Sequence, residues 1–288
     1  MGCPNSMLLF LTVLDLFSSF SGLSFPSLAI IFKVETIKNI LNFIYLLQEI
    51  GVKGAALITG GARRIGRAIV LSLAEKGFDV ALHYRSSRSE AEEVAEAIKK
   101  IGRQCHLFRC DLNDMKDVSS LIPQVFKRFP DCNLLINNAS IFKRARFTET
   151  DEPLFDRHFN INFKAPFFLS SDFAKHCSEG QIINILDTKV SRALIEYFVY
   201  TLTKKALSEF TRMAAKELGP RIRVNGICPG LILPSSELSE EDFQELGGRI
   251  PLQRTGSPES VVSAIHFLLD NTFITGETIF VDGGEHLK

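Results

Sequence analysis

The stretch GAALITGGARRIG, residues 54–66, decides how this chain is read. Its first half is an uncharged apolar run, the pattern of a strand buried on both faces. The run ends at Gly60 and Gly61, which mark a tight turn. RRIGRAIVLSLAEKG then carries apolar residues at helical spacing and stops at Gly77, a plausible C-cap. A strand, a glycine turn and a helix in that order bring backbone N–H groups and a helix N-terminus to one edge of a sheet. That place suits a pyrophosphate.

The alternation continues outward. DVALHY (79–84), QCHLFRCDL (104–112), CNLLINNAS (132–140), GQIINIL (180–186), RIRVNGICPG (221–230) and GETIFVDGG (276–284) read as strands. Helical patterns separate them at 87–102, 113–129, 152–177, 194–218 and 257–270, with Pro166 bending or breaking the one at 152–177. Strands that are near-continuous apolar runs belong to a parallel sheet covered on both faces. Right-handed crossovers then give an α/β, doubly wound, Rossmann-type single domain over residues 53–288. Residues 231–250 are polar enough to form a loop with a short helix over the sheet edge.

Residues 1–52 do not share this pattern and form an extension. Their apolar runs are interrupted by Asp15 and Pro26, and no Lys or Arg precedes Lys33. A signal peptide wants a positive start, and a spanning helix wants about 20 uninterrupted apolar residues. Membrane association through residues 1–50 is therefore disfavoured, as is myristoylation at MGCPNS. The favoured expectation is that this segment lies upstream of the natural protein, which would start near Val52.

Lysine plus arginine and aspartate plus glutamate balance at 33 each, so no global field favours nucleic acid. Six cysteines are scattered without a CxxC pair, which argues against a metal site or a disulfide framework. Reduced thiols in a core fit a cytoplasmic protein.

The second strand ends in LHYRSSRSE, with no acid between Asp79 and Glu90. An NAD site usually places an acid there for the ribose 2′-hydroxyl. Arg85, Ser86, Ser87 and Arg88 instead suit a 2′-phosphate, so the expected cofactor is NADPH. Asp111, after the third strand, is placed for the adenine amino group, and the backbone of NNAS (137–140) for the cofactor ribose. Tyr200 and Lys204 stand four apart on one helix face. A lysine cation beside a phenol favours the phenolate and prepares a proton donor for a carbonyl or imine that receives a hydride.

TGGARRIG, NNAS, Asn162 in NIN, Tyr200-x-x-x-Lys204, RVNGICPG and VDGG occur in the order of the short-chain dehydrogenase/reductase family, which residues 54–288 resemble. Three departures narrow the resemblance. Arg64 stands where the family has a glycine, Ser140 where NNAG has its last glycine, and Asp187 where the catalytic serine sits thirteen before the tyrosine. With HYRSS after the second strand, these are similar to pteridine reductases, and ITGETIFVDGGEHLK looks like the bacterial dihydromonapterin reductases.

That resemblance implies a catalytic set of Asp187, Tyr200, Lys204 and Asn162, with Asn162 holding a water in a proton relay. It implies cofactor binding by Gly60, Arg63, Arg64, Ile65, His83, Tyr84, Arg85, Ser86, Ser87, Asp111 and Leu112, then by Asn138, Ala139, Ser140, Lys204, Pro229 and Gly230. Arg64, Ser140, Phe142, Asp187 and Tyr200 would bind substrate, with Phe142 stacked on a pterin. The activity implied is reduction of 7,8-dihydropterins, among them dihydromonapterin, dihydrobiopterin and dihydrofolate, by a homotetramer. An acid at 187 raises a difficulty: a bare carboxylate lifts the phenol pKa, so Lys204 must offset it or Asp187 must be protonated for part of the cycle. Two alternatives stay open: a carbonyl reductase acting, for instance, on 3-oxoacyl thioesters, and a non-catalytic NADPH-binding regulator.

Overall fold

The computed structural model describes residues 53–235 and 238–287, all within the compact unit Val52–Lys288. The expectations for residues 1–52 lie outside the described residues. Seven strands form one sheet: β1 (Ala55–Ile58), β2 (Asp79–Tyr84), β3 (Cys105–Arg109), β4 (Cys132–Asn137), β5 (Gly180–Ile185), β6 (Ile222–Pro229) and β7 (Thr278–Val281). Their order is β3-β2-β1-β4-β5-β6-β7. Every pairing is parallel; Ile58, for example, faces Leu82 on β2 and Ile136 on β4. The order reverses at β1 and β4, which opens a crevice beyond their C-terminal ends.

Among the described residues there are eight α-helices: α1 (Arg64–Glu75), α2 (Arg88–Lys100), α3 (Met115–Arg128), α4 (Glu152–Phe159), α5 (Ala165–His176), α6 (Phe198–Leu218), α7 (Glu240–Gly248) and α8 (Pro258–Asp270). Because strand side chains alternate, the sheet builds two cores. Leu57, Leu135, Ile182 and Val224 pack with Val118 and Leu121 of α3 and with Leu169 and Phe173 of α5. Ile58, Leu82, Ile136 and Ile183 pack with Ile69 and Leu73 of α1, Val94 of α2 and Ile265 of α8. Burial on both faces is why the strands read as unbroken apolar runs. Among the described residues no helix is long and apolar enough to cross a membrane.

Two helices depart from the sequence expectation. The helix expected over 152–177 contains a π turn at Asn160–Lys164, ahead of Pro166. Pro166 has no N–H to give the carbonyl of Asn162, so the regular ladder cannot run through this point. The helix expected from residue 194 begins at Phe198. Residues before it are drawn into a bridge instead: Ala145 N–H donates to Glu196 O at 3.0 Å, and Phe198 N–H donates to Ala145 O at 3.1 Å.

Candidate active site

The glycine turn is pinned from below. Thr59 Oγ1 accepts the N–H groups of Asn138 at 2.9 Å and Ala139 at 3.0 Å. Asn138 Nδ2 in turn donates to the carbonyls of Thr59 at 2.8 Å and Gly60 at 3.2 Å. Gly60 has φ of +67°, the left-handed region that favours glycine. A Cβ on Gly66 would stand 2.1 Å from Gly60 O, so α1 closes on the turn only because residue 66 is glycine.

His83 is the third pin. Its Nδ1 accepts the Gly60 N–H at 3.0 Å, and its Nε2 lies 3.0 Å from the Cys110 carbonyl. The ring must therefore be neutral, with the proton on Nε2. Burial pushes it down to about 4, which agrees. The sequence reading gave His83 to the cofactor; the structure spends both of its nitrogens on the protein, so it shapes the site from behind.

Two adjoining cavities follow the switch point. One of about 290 Å³ is lined by Gly60, Arg63, His83, Tyr84, Arg85, Ser86, Ser87, Asp111, Leu112, Ala139 and Ser140. The next, of about 400 Å³, is lined by Gly60, Arg63, Arg64, Ile65, Asn138, Ala139, Ser140 and Phe142, and by Asp187, Tyr200, Lys204, Pro229 and Gly230. All the residues expected to bind cofactor thus lie along one continuous trough. Arg63 is 3.7 Å from Glu90, and Arg88 donates to Glu92 at 2.8 Å, so both are partly committed. Among the described residues, no hydrogen bond or ion pair engages the Arg85 side chain. Asp111 Oδ1 accepts the Asn113 N–H at 3.0 Å.

Arg64 adopts φ of +52°, a strained conformation for a residue with a side chain. Its guanidinium reaches the Pro234 carbonyl at 2.7 Å and so ties the phosphate turn to the 231–250 segment. That segment carries α7, as expected. It closes a third cavity of about 720 Å³ that Arg64, Phe142, Asp187 and Tyr200 share with Leu231, Leu233, Leu238, Phe243, Leu246 and Ile250.

The reacting groups meet where the second and third cavities join. Tyr200 OH donates to Asp187 Oδ2 at 2.6 Å. Burial first, and the Asp187 charge second, hold this phenol well above its usual range. Lys204 donates to the Ile185 carbonyl at 2.8 Å. Its ammonium is 5.8 Å from the Tyr200 ring centre, and burial pushes it down to about 8. The expectation that Lys204 lowers the phenol is therefore not met; burial and Asp187 dominate.

Asn162 sits in the π turn and lines none of these cavities. Its Oδ1 accepts the Ile141 N–H at 2.9 Å and Ser140 Oγ–H at 3.2 Å, while its Nδ2 donates to Ile141 O at 3.0 Å and Thr203 Oγ1 at 3.3 Å. The side chain thus ties the Ile141 backbone to the hydroxyls of Ser140 and Thr203. Phe142, 41 % exposed, lies flat against Tyr197 with ring centres 4.1 Å apart and planes 10° apart. It meets Tyr200 edge-on at 4.6 Å.

Sequence reasoning missed Tyr197 and Lys189. Tyr197 is the residue before α6 and enters the site only because the Ala145 bridge delays the helix. Lys189 Nζ stands 3.2 Å from Asp187 Oδ1. No motif marks either of them.

A family model described as Enoyl-(Acyl carrier protein) reductase matches residues 60–286. An L-rhamnose 1-dehydrogenase (NADP(+)) of Thermoplasma acidophilum is 34% identical over 242 residues, 80% of this chain and 94% of that protein. A 3-oxoacyl-[acyl-carrier-protein] reductase of Staphylococcus aureus is 32% identical over 241 residues, 81% of this chain and 98% of that protein. Among solved structures, the FolM alternative dihydrofolate reductase 1 of Brucella canis, complexed with NADP, is 39% identical with a TM-score of 0.78. It covers 83% of this chain and 96% of its own. A short-chain dehydrogenase/reductase of Serratia marcescens is 30% identical, covers 81% and 97%, and has a TM-score of 0.76. The chain belongs to the short-chain dehydrogenase/reductase family.

Proposed function

We propose that this chain is an NADPH-dependent pteridine reductase that converts 7,8-dihydropterins, such as dihydromonapterin, dihydrobiopterin or dihydrofolate, to their tetrahydro forms. The coarser part of this reading, an NADPH-dependent oxidoreductase, rests on the family and on the trough. The residues present fit that cofactor. Gly60 and Gly66 let the backbone close beneath a diphosphate. Arg85, Ser86 and Ser87 offer donors to a 2′-phosphate where an acid would repel it.

The finer part rests on one observation: a carboxylate, Asp187, receives the Tyr200 hydroxyl at 2.6 Å in a cavity that also presents the Phe142 ring. When bound, NADPH supplies the hydride that adds to C6 of the substrate. Tyr200 gives its proton to N5, so the C=N bond becomes C–H and N–H. The phenolate left behind recovers a proton from solvent through Asp187. The stacked Phe142 and Tyr197 rings line the space a flat pterin would enter, and Arg64 offers donors at the rim. Likeness to the Brucella canis enzyme, named as an alternative dihydrofolate reductase, supports the same substrate class.

A second reading is favoured by the apolar lining of the largest cavity, Leu231, Leu233, Leu238, Phe243, Leu246 and Ile250, which suits an acyl chain. The Staphylococcus aureus relative is named for such a substrate. Steady-state NADPH oxidation by the full chain, with 7,8-dihydrobiopterin, 7,8-dihydrofolate and an acetoacetyl thioester, separates the two. Turnover of the dihydropterins that the Asp187→Ser variant loses supports the first reading. Turnover of the thioester alone overturns it.

Assembly as a homotetramer is proposed from the family resemblance, and a further observation supports self-association through one face. Phe155, Phe159, Phe163, Phe167 and Phe210 form a linked series of rings across α4, α5 and α6, and Phe155 and Phe167 are exposed. A second copy of the chain would cover them. Sedimentation of the full chain as a monomer at micromolar concentration would contradict this.

A further inference from the structure

An acid beside a proton-donating phenol works against donation, because the proton leaves two anions in contact. Lys204 was expected to offset this, yet its ammonium is held on the Ile185 carbonyl behind the Tyr200 ring. The structure places another cation, Lys189, 3.2 Å from the Asp187 carboxylate. We propose that Lys189 is a positioning residue that keeps the Asp187 carboxylate turned toward Tyr200 and balances the second negative charge when Tyr200 releases its proton. The proposal rests on Tyr200 being the donor; it does not depend on which substrate receives the proton.

The geometry divides the Asp187 carboxylate between two tasks. Asp187 caps the short turn Thr188–Ser191. Its Oδ1 accepts the Lys189 backbone N–H at 2.8 Å and the Lys189 ammonium at 3.2 Å. Oδ2 is thereby left to the Tyr200 hydroxyl at 2.6 Å. The turn itself is anchored elsewhere: Thr188 Oγ1 donates to Asp282 Oδ2 at 2.6 Å. The side chains of Lys189 and Asp187 are only 22% and 15% exposed, so solvent screens the pair less than an ordinary surface ion pair.

Charge counting over Asp187, Tyr200 and the two lysines alone shows what the second lysine adds. With Asp187 ionised and both lysines protonated, the four groups sum to one positive charge. Loss of the Tyr200 proton brings them to zero. Without Lys189 the same step runs from zero to one negative charge in a buried site. The other groups facing Asp187 do not replace it. Asp282 and Glu285 in the C-terminal turn are acids, and Cys228 on β6 is a thiol that burial pushes up to about 12. Arg192 donates to the Glu285 carbonyl and lies 3.3 Å from its carboxylate. Lys189 also lines the largest cavity and stands 5.4 Å from the Phe142 ring centre, so it touches both the relay and the substrate space.

Lys189→Met removes the charge and keeps the backbone N–H that holds Oδ1; Lys189→Arg keeps the charge. The test uses the full chain, labelled with ¹³C at the aspartate γ-carbon, with the Asp187 signal assigned by its loss in Asp187→Asn. In Lys189→Met the Asp187 signal should reach its protonated position at a pH about one unit or more higher than in wild type. Lys189→Arg should close most of that gap. In parallel, kcat for NADPH oxidation with 7,8-dihydrobiopterin should be lower in Lys189→Met and begin its alkaline fall at a higher pH, because the phenol loses a stabilising cation and holds its proton longer. An Asp187 titration unmoved in Lys189→Met, or moved equally by Lys189→Arg, overturns the proposal. If wild type leaves the dihydropterin unreduced, the pteridine reductase reading falls, while the carbon signal still decides the role of Lys189.

Discussion

The two ends of the active crevice are built differently. At the cofactor end the protein satisfies its own backbone: Thr59, Asn138 and His83 fix the glycine turn before any ligand arrives. At the substrate end, the contacts run mainly from side chain to side chain around a larger cavity. Phe142 lies on Tyr197, Lys189 on Asp187, and Arg64 reaches the 231–250 segment through a single carbonyl. A prebuilt end accepts one kind of molecule, a dinucleotide, across a whole family. The open end is where sequence change alters the substrate without disturbing the fold.

The largest expected effect lies where the two ends meet. Tyr200→Phe should lower dihydropterin turnover about 10²- to 10⁴-fold, the usual worth of a positioned proton donor, with NADPH binding retained. Stopped-flow turnover beside a cofactor titration would check both halves of that statement. A loss of NADPH binding instead would mean that the ends are not separable.

At the cofactor end, acid should unpin the turn. His83 titrates near 4 in the fold against an ordinary 6.5, so between those values the unfolded chain binds a proton that the folded chain does not. Stability should therefore fall as pH drops through that window, by up to about 3 kcal/mol at its lower end. Urea unfolding of wild type and His83→Phe at several pH values would test this. The variant should be less stable near neutrality and lack that part of the acid dependence.

Arg85→Ala should raise the KM for NADPH about 10- to 100-fold and leave NADH little changed, because one charge-assisted contact to the 2′-phosphate is lost. Equal losses with both cofactors would place the 2′-phosphate elsewhere. The smallest effect is expected beside the substrate, in α7. A Cβ on Gly248 meets nothing within 4 Å, whereas one on Gly66 meets a backbone oxygen at 2.1 Å. Gly248→Ala should change stability by at most about 1 kcal/mol, and toward greater stability. Thermal unfolding of the two alanine variants side by side would show the contrast.

The same division governed what the sequence revealed. The glycine turn, the alternation of strands and helices and the missing acid after β2 are local signals, and Gly60, Arg85 and Asp111 line one cavity. The pairing of Asp187 with Tyr200 was implied by the family resemblance, and the two side chains do meet. Other features depend on partners far away in the chain. Tyr197 reaches Phe142 because residues 196–198 pair with Ala145. His83 turned out to hold Gly60 and Cys110, and Asn162 to hold Ile141, which periodicity does not reveal. Lys189 acts through a turn whose anchor, Asp282, is 94 residues from Thr188.

One labelling measurement addresses the proposed chemistry directly. The full chain would be given NADPH deuterated at both C4 positions, with equal 7,8-dihydrobiopterin and acetoacetyl thioester in one vessel. The reading developed from Asp187 and Tyr200 predicts deuterium at C6 of the tetrahydropterin. Deuterium at C3 of the hydroxyacyl thioester, with the pterin unlabelled, would contradict it.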